Sequence, residues 1–158
     1  MSDSIQIIEF EDVLSNDFRK LSIAWLQKYF VVEPIDEEML SKPHKFIIDK
    51  GGHIFFAKIE DEVVGTFAMM KSADNEYELS KMAVSEEHQG KKIGNKMLEF
   101  CLDKARELKA KKVILFSNTM LEPAIHLYRK YGFKEVPLRS SEYKRSNIKM
   151  EVEIKEPS

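Results

Sequence analysis

A strand-like segment, 77–84, runs through a polar loop that contains a glycine and directly into a long helical pattern ending near residue 109. The helix has one stripe of apolar and small residues at helical spacing, formed by Gly94, Leu98, Cys101, Ala105 and Leu108. A strand joined to an amphipathic helix in this way requires a sheet on which the helix packs. The segment therefore indicates a domain of mixed α and β structure.

The other segments add more strands than helices. Alternating or β-branched stretches predict strands at 5–10, 54–59, 63–70, 112–116, 133–138 and 148–154, and helical periodicity predicts helices at 15–30, 35–40 and 123–131. The early strands follow one another as hairpins, whereas the later strands alternate with helices. We predict one domain, 1–158, of α/β (mixed α+β) class, with a mixed sheet covered by helices.

Composition excludes several classes of protein. The chain has 25 basic and 27 acidic residues, a net charge of −2, so no overall positive field attracts nucleic acid or an anionic membrane. No apolar run reaches the ~20 residues of a membrane-spanning helix, and the first residues lack the pattern of a signal peptide. We expect a cytoplasmic protein without nucleic-acid or membrane partners. The single cysteine, Cys101, is expected to be a packed thiol rather than a nucleophile.

The loop before the long helix predicts an anion site. The first N–H groups of a helix lack partners within it, and they lie at the positive end of the helix dipole. Gly90 and Gly94 let an anion approach the backbone, and Lys91, Lys92 and Lys96 add positive charge. A diphosphate fits this pattern, although many such loops are ordinary turns. The spacing matches neither a P-loop nor the three-glycine dinucleotide motif.

Three segments in this order resemble the GCN5-related N-acetyltransferase (GNAT) family: ELSKMAV at 78–84, QGKKIG at 89–94 and AIHLYRKYGF at 124–133. The family's loop pattern is Gln or Arg, two residues, Gly, one residue, then Gly or Ala. Gln89 and Gly94 match this pattern, but Lys92 stands where the first glycine is usual. The resemblance covers about residues 52–133 well and the two ends more loosely.

The resemblance implies a central mixed, mostly antiparallel sheet of about seven strands flanked by helices, with the fourth and fifth strands splayed apart. The acetyl thioester of acetyl-coenzyme A, a co-substrate, would lie in that gap, and no metal would take part. Met82, Ala83 and Val84 would pair with the pantetheine arm through their backbones, and Asn118 would line the arm. The pyrophosphate would be held by backbone N–H groups of Gln89, Gly90, Lys91, Lys92, Ile93, Gly94, Asn95 and Lys96.

The resemblance also implies direct transfer of the acetyl group to an amine within a ternary complex. Tyr128 matches the family's tyrosine near the coenzyme sulfur, where a phenol of pKa ~10 can protonate the departing thiolate. Its alternative role is packing of the helix on the sheet. Glu78 is the candidate general base, and its alternative is a surface glutamate paired with Lys81. His126 points about 200° away from Tyr128 around the helix, so it is not expected to be the base.

The acceptor pocket is expected to form between the first helices and the loop 139–146. Its candidate residues are Trp25, Tyr29, Glu33, Tyr143 and Arg145. For the aromatic residues, core packing is the favoured alternative. Arg145 either binds an acceptor carboxylate through two hydrogen bonds or is an exposed loop charge, and the exposed role is favoured.

The predicted function is acetylation of a primary amine, and a small-molecule acceptor is favoured. The near-neutral charge and compact length provide no docking arm for a large basic substrate. Acetylation of a protein N-terminus or lysine, and a non-catalytic module that binds acyl-coenzyme A, remain alternatives. The fold does not fix the acceptor, and the oligomeric state, including a homodimer, stays open.

Overall fold

A computed structural model describes residues 4–139, 141 and 143–155. Its strands are β1 (Ile5–Glu9), β2 (His53–Ile59), β3 (Glu62–Ala73), β4 (Glu76–Val84), β5 (Lys112–Ser117), β6 (Lys134–Val136) and β7 (Ile148–Glu153). Its α-helices are α1 (Ser15–Tyr29), α2 (Pro34–Ser41), α3 (Ile93–Glu107) and α4 (Glu122–Lys130). Short 3₁₀ turns lie at Asp12–Leu14 and Glu86–His88, and a π-helical turn lies at His44–Ile48. No helix in these ranges is long and apolar enough to cross a membrane.

The strands form one seven-stranded sheet in the order β1-β2-β3-β4-β5-β7-β6. Every neighbouring pair is antiparallel except β4 and β5, which are parallel. This arrangement confirms the predicted mixed, mostly antiparallel sheet. The β4–β5 ladder pairs only 76–78 with 112–114, although both strands continue further. The two strands therefore separate beyond Glu78, which confirms the predicted splay.

A β-bulge lies in β4 close to this separation. Thr66 pairs with Ala83 and Ala68 pairs with Ser80, so two residues of β4 oppose the single residue between them on β3. One of the two, Lys81, takes a left-handed backbone conformation with φ of 54°. A bulge of this kind bends the strand and redirects its side chains. The bend occurs where β4 leaves β5.

Both faces of the sheet pack against apolar side chains, as the residues of β2 illustrate. Its side chains alternate between faces, so Phe55 lies in one apolar cluster while Ile54 and Phe56 lie in the other. The first cluster includes buried residues of α3, and the second includes Phe18 and other residues of the first helices. The core therefore has two layers, one on each side of the sheet.

Several local predictions need correction. The π-helical turn at His44–Ile48 was not predicted; it follows Pro43, and a proline fits the start of a helix. The strand expected at 133–138 is shorter, Lys134–Val136, and Pro137 follows it without an N–H for the ladder. Cys101 is fully buried in the core, as predicted, and burial raises the pKa of its thiol to about 12.

Candidate functional site

A groove of about 680 Å³ lies between β4, the loop 85–92, the start of α3 and α4. Ligand sites commonly have volumes of ~300–1,000 Å³. Most of the predicted coenzyme-binding residues line it, namely Met82, Ala83, Val84, Gln89, Gly90, Lys92, Ile93, Gly94, Asn95 and Tyr128. The structure therefore brings the strand, loop and helix positions of the sequence prediction together on one concave surface.

The end of the groove at the α3 N-terminus has an open backbone. Gly90 and Lys92 both have left-handed conformations, with φ of 87° and 61°. A Cβ atom built on Gly90 would meet nothing within 4 Å, and one on Gly94 would meet only Leu127, at 3.5 Å. Residues 93–95 begin α3, so their N–H groups have no partner within the helix. This backbone can cradle an anion such as a diphosphate.

Fewer backbone N–H groups are available to an anion than predicted for residues 89–96, because the residues at both ends of this range use theirs within the protein. The N–H of Lys96 donates to the carbonyl of Lys92 at 3.2 Å, so α3 itself uses this donor, and the N–H of Gln89 donates to Glu86 at 3.5 Å. Neither Lys91 nor Lys96 lines the groove. The backbone donors suited to an anion therefore lie within residues 90–95.

A second, smaller cavity of about 80 Å³ lies behind the groove, between α1, the splayed parts of β4 and β5, and residues 143–146. Eight of the predicted site residues line it, namely Trp25, Glu78, Met82, Ala83, Asn118, Tyr128, Tyr143 and Arg145. Trp25, Met82, Ala83, Leu121 and Tyr128 line both spaces. The groove and the cavity therefore meet beside the Tyr128 ring.

Tyr128 is placed by α4 and packs edge-on against Phe133, with ring centroids 5.8 Å apart. Its hydroxyl has no hydrogen-bond partner within the described part of the chain. Burial, with a smaller contribution from nearby Cys101, raises the pKa of Tyr128 to about 12. The phenol is therefore a weaker acid than the ordinary value used in the sequence prediction. Burial also raises the pKa of the neighbouring Cys101 thiol.

A buried ionic network lies beside the cavity. Lys81 Nζ is 2.5 Å from Asp36 Oδ1, and Arg145 donates to both oxygens of Asp36 at 2.7 and 2.9 Å. Arg145 also donates to Glu33 at 3.0 Å. Burial opposes ionisation of Asp36, but hydrogen bonds from Arg145 and Lys81 outweigh it and lower its pKa to about 2. Burial lowers the pKa of Lys81, and the charge of Asp36 opposes this effect.

This network corrects three predictions. Arg145 is not an exposed loop charge, because its side chain is 16% exposed and binds two carboxylates of the protein. Lys81 does not lie at the surface, because its side chain is 3% exposed and binds Asp36, and the charge of Glu78 also acts on it. Glu33 does not line the cavity. Its carboxylate instead accepts the N–H of Lys144 at 3.0 Å as well as the bond from Arg145, and it thereby holds the loop.

Asn118 and the aromatic candidates are placed as follows. The amide of Asn118 donates to the Arg145 carbonyl at 2.7 Å, and its oxygen accepts the Met120 N–H at 2.9 Å. It lines the small cavity instead of the predicted coenzyme groove. Tyr29 lines the groove and contacts Trp25, with ring centroids 5.3 Å apart. Trp25 and Tyr29 therefore contribute to the site and to packing together.

The Tyr143 ring lies against both cations of the network, with Lys81 Nζ and the Arg145 guanidinium each 4.5 Å from its centroid. Such contacts add cation–π attraction to the ion pairs. His126 is exposed and lines neither space, which agrees with its rejection as a base.

Two features of the site were not predicted. Ser22 lines the small cavity, and its buried hydroxyl has no hydrogen-bond partner among the residues that the structure describes. On the groove side, ligand atoms of Glu62, Glu87 and His88 lie within 4.8 Å of one another. Exposed acidic groups often meet without binding a metal, and the expected absence of a metal remains a prediction.

The sequence profile described as the acetyltransferase (GNAT) family matches residues 17–133. The match covers most of the chain and includes the strand, loop and helices that form the groove. The chain therefore belongs to the GNAT family.

One relative is the probable N-acetyltransferase camello of Xenopus tropicalis, which is 27% identical over 124 residues, 77% of this chain and 52% of the relative. The camello protein of Xenopus laevis is 30% identical over 101 residues, 63% of this chain and 46% of the relative. The chain thus spans about half the length of these two relatives.

The fold also occurs in a solved GNAT-family acetyltransferase of Staphylococcus aureus Mu50. The TM-score is 0.85 at 20% identity, with coverage of 96% of this chain and 100% of the other. At this identity, the similarity demonstrates a shared fold and carries no information on the acceptor.

Proposed function

We propose that this protein is an acetyl-coenzyme A-dependent N-acetyltransferase that acetylates a primary amine, most suitably that of a small molecule. The observation that carries the proposal is the meeting of two spaces beside Tyr128. One is a long groove with an anion cradle at its far end, and the other is a small cavity lined by polar side chains. Two substrates bound in these spaces would have their reacting groups at the junction, as a ternary complex requires.

The groove suits coenzyme A along its length. Backbone donors within 90–95 would bind the pyrophosphate. β4 is free of β5 beyond Glu78, so its open edge would bind the pantetheine arm as an added strand, at Met82, Ala83 and Val84. The coenzyme supplies an activated acetyl thioester. The pyrophosphate and the pantetheine arm would therefore bind to separate surfaces of the chain.

Two side chains would handle protons, Tyr128 at the junction and Glu78 in the small cavity. The Tyr128 hydroxyl is protonated at neutral pH, as an ordinary phenol is, and it would donate its proton to the departing thiolate. Glu78 lines the small cavity and would accept the proton of the amine, directly or through water. His126, exposed and outside both spaces, would take no part.

The size of the cavity supports a small acceptor. Its volume is about 80 Å³, and Arg145, which is bound to Asp36, lines it. A protein acceptor stays an alternative, because a ribosomal-protein-S18-alanine N-acetyltransferase of Escherichia coli has the same fold, with a TM-score of 0.77 at 18% identity and coverage of 98% and 97% of the two chains.

A screen of amines in a thiol-release assay tests the proposed function, combined with a thermal-shift measurement. Acetyl-coenzyme A should raise the melting temperature, because it binds only the folded state. Thiol should then be released when a suitable amine is added. Stabilisation by the coenzyme with no acetylation across amines and peptides would favour a non-catalytic acyl-coenzyme A-binding module. Absence of stabilisation would overturn the coenzyme assignment itself.

A further inference from the structure

We propose that the acceptor is an amine without a neighbouring carboxylate, and that the hydroxyl of Ser22 accepts a hydrogen bond from this amine. The inference rests on the proposed function and specifies the chemical class of its acceptor. It derives from two independent features of the small cavity. One is a serine hydroxyl in the cavity wall that has no partner among the described residues, and the other is the pairing of the cations in the wall with carboxylates of the protein.

The first feature is the Ser22 hydroxyl. Ser22 lies within α1, is 3% exposed and lines the cavity that Glu78 and Tyr128 also line. A serine inside a helix can bond to the carbonyl four residues earlier, but this hydroxyl has no hydrogen-bond partner within residues 4–139, 141 and 143–155. A buried polar group without a partner costs free energy, and in a native protein it calls for an explanation. A polar atom of a bound acceptor provides one.

The second feature is the charge of the cavity wall. Lys81 and Arg145 are the cationic side chains among its described lining residues. Lys81 donates to Asp36, and Arg145 donates from one nitrogen to Asp36 and Glu33 and from a second nitrogen to Asp36. Two cations and two anions therefore neutralise each other inside the protein. An incoming carboxylate would have to compete with both buried anions.

The remaining wall suits the hydrocarbon part of an amine. Trp25, Phe30 and Phe116 line the cavity with aromatic surface. Such surface binds apolar groups and also tolerates a cationic amine before it loses its proton. The cavity thus offers apolar walls and a hydroxyl acceptor, while its cations are already paired.

The test compares two amino acids with their decarboxylated counterparts, phenylalanine with phenethylamine and leucine with 3-methylbutylamine. Each compound is titrated into the protein saturated with coenzyme A, so binding is measured without turnover. We expect at least one of the amines to bind tenfold or more tightly than its amino acid, on the order of 1.4 kcal/mol. Equal binding, tighter binding of both amino acids, or binding of no compound would overturn the inference.

The variant Ser22→Ala tests the hydroxyl. It should weaken binding of the preferred amine by about tenfold and leave the affinity for acetyl-coenzyme A unchanged. It should also leave the protein at least as stable, since an unpartnered buried hydroxyl is removed. The matched control is Ser80→Ala, because Ser80 lines the same cavity but its hydroxyl already lies 3.5 Å from the Tyr143 hydroxyl. Unchanged amine binding in Ser22→Ala would overturn the assigned contact.

Thiol release measured on the same compounds separates this inference from the proposed function. Preferential binding of an amine with no acetylation would support the acceptor class and contradict the enzymatic activity. Acetylation of an amino acid in preference to its amine would support the enzymatic activity and contradict the acceptor class.

Discussion

Lys81 and Asp36 lie 45 residues apart in the sequence, yet their charged atoms are 2.5 Å apart and their side chains are 3% and 0% exposed. The pair joins the bulge of β4 to the first turn of α2. Arg145, which lies in the loop before β7, donates to both oxygens of the same carboxylate. One buried anion on α2 therefore holds two segments that line the small cavity, β4 and the loop before β7.

We expect Asp36→Asn to destabilise the protein by about 3 kcal/mol, because removing one partner leaves buried cations uncompensated. Urea denaturation followed by circular dichroism measures the change. The matched control is Glu37→Gln on the same helix, whose pair with Arg19 at 2.8 Å is 43–44% exposed. The control should change stability far less. Equal effects of the two substitutions would show that the buried network does not stabilise the fold.

The low pKa of Asp36 predicts a specific dependence of stability on pH. The pKa falls from 3.8 to about 2 in the folded protein, so the folded state binds fewer protons than the unfolded state in this range. This contribution to stability, on the order of 2 kcal/mol, is present above pH 4 and is lost as pH falls towards 2. Melting temperatures of the wild type and Asp36→Asn should therefore converge on acidification. A difference in melting temperature between the two proteins that stays the same at every pH would contradict the low pKa of Asp36.

Gly94→Phe should abolish stabilisation by acetyl-coenzyme A without unfolding the protein. The space at Gly94 admits a Cβ atom, 3.5 Å from Leu127, but a ring there would occupy the groove. Thermal shift with and without the coenzyme measures the effect. Asp103→Phe, on the exposed side of the same helix, is the matched control and should retain the shift. Retained binding in Gly94→Phe would place the anion cradle elsewhere.

The parts of the site that the sequence predicted are those with a local pattern. The strand, glycine-containing loop and helix of 77–109 place their residues in one groove because consecutive elements pack side by side. Tyr128 was likewise identified from a contiguous motif, and its helix lies at the junction of groove and cavity.

The parts that the sequence did not predict depend on distant residues. Periodicity places Lys81 on a regular strand, whereas the bulge gives it φ of 54° and a buried position. Nothing near Arg145 in the sequence indicates that Glu33 and Asp36, more than 100 residues earlier, would bind it. The Ser22 hydroxyl, within the helix predicted at 15–30, becomes notable only once its surroundings are known.

Tyr128→Phe removes only the hydroxyl, so packing against Phe133 and affinity for the coenzyme should change little. If the hydroxyl protonates the thiolate, kcat should fall by roughly ten- to a thousandfold, towards or within the range of general acid catalysis. Because burial raises the pKa of Tyr128 to about 12, this group should cause no decline in rate between pH 8 and ~10 in the wild type. Unchanged kcat, where chemistry limits turnover, would assign the protonation to another group.

The most direct measurement follows an isotopically labelled acetyl group from acetyl-coenzyme A to an amine by mass spectrometry. The wild type should yield a labelled N-acetyl product, and one free thiol should appear for each product molecule. Gly94→Phe should yield neither above the uncatalysed rate, because its groove is blocked. A labelled product formed equally fast by Gly94→Phe would contradict transfer in this groove, and thiol release without any labelled amine would contradict N-acetylation.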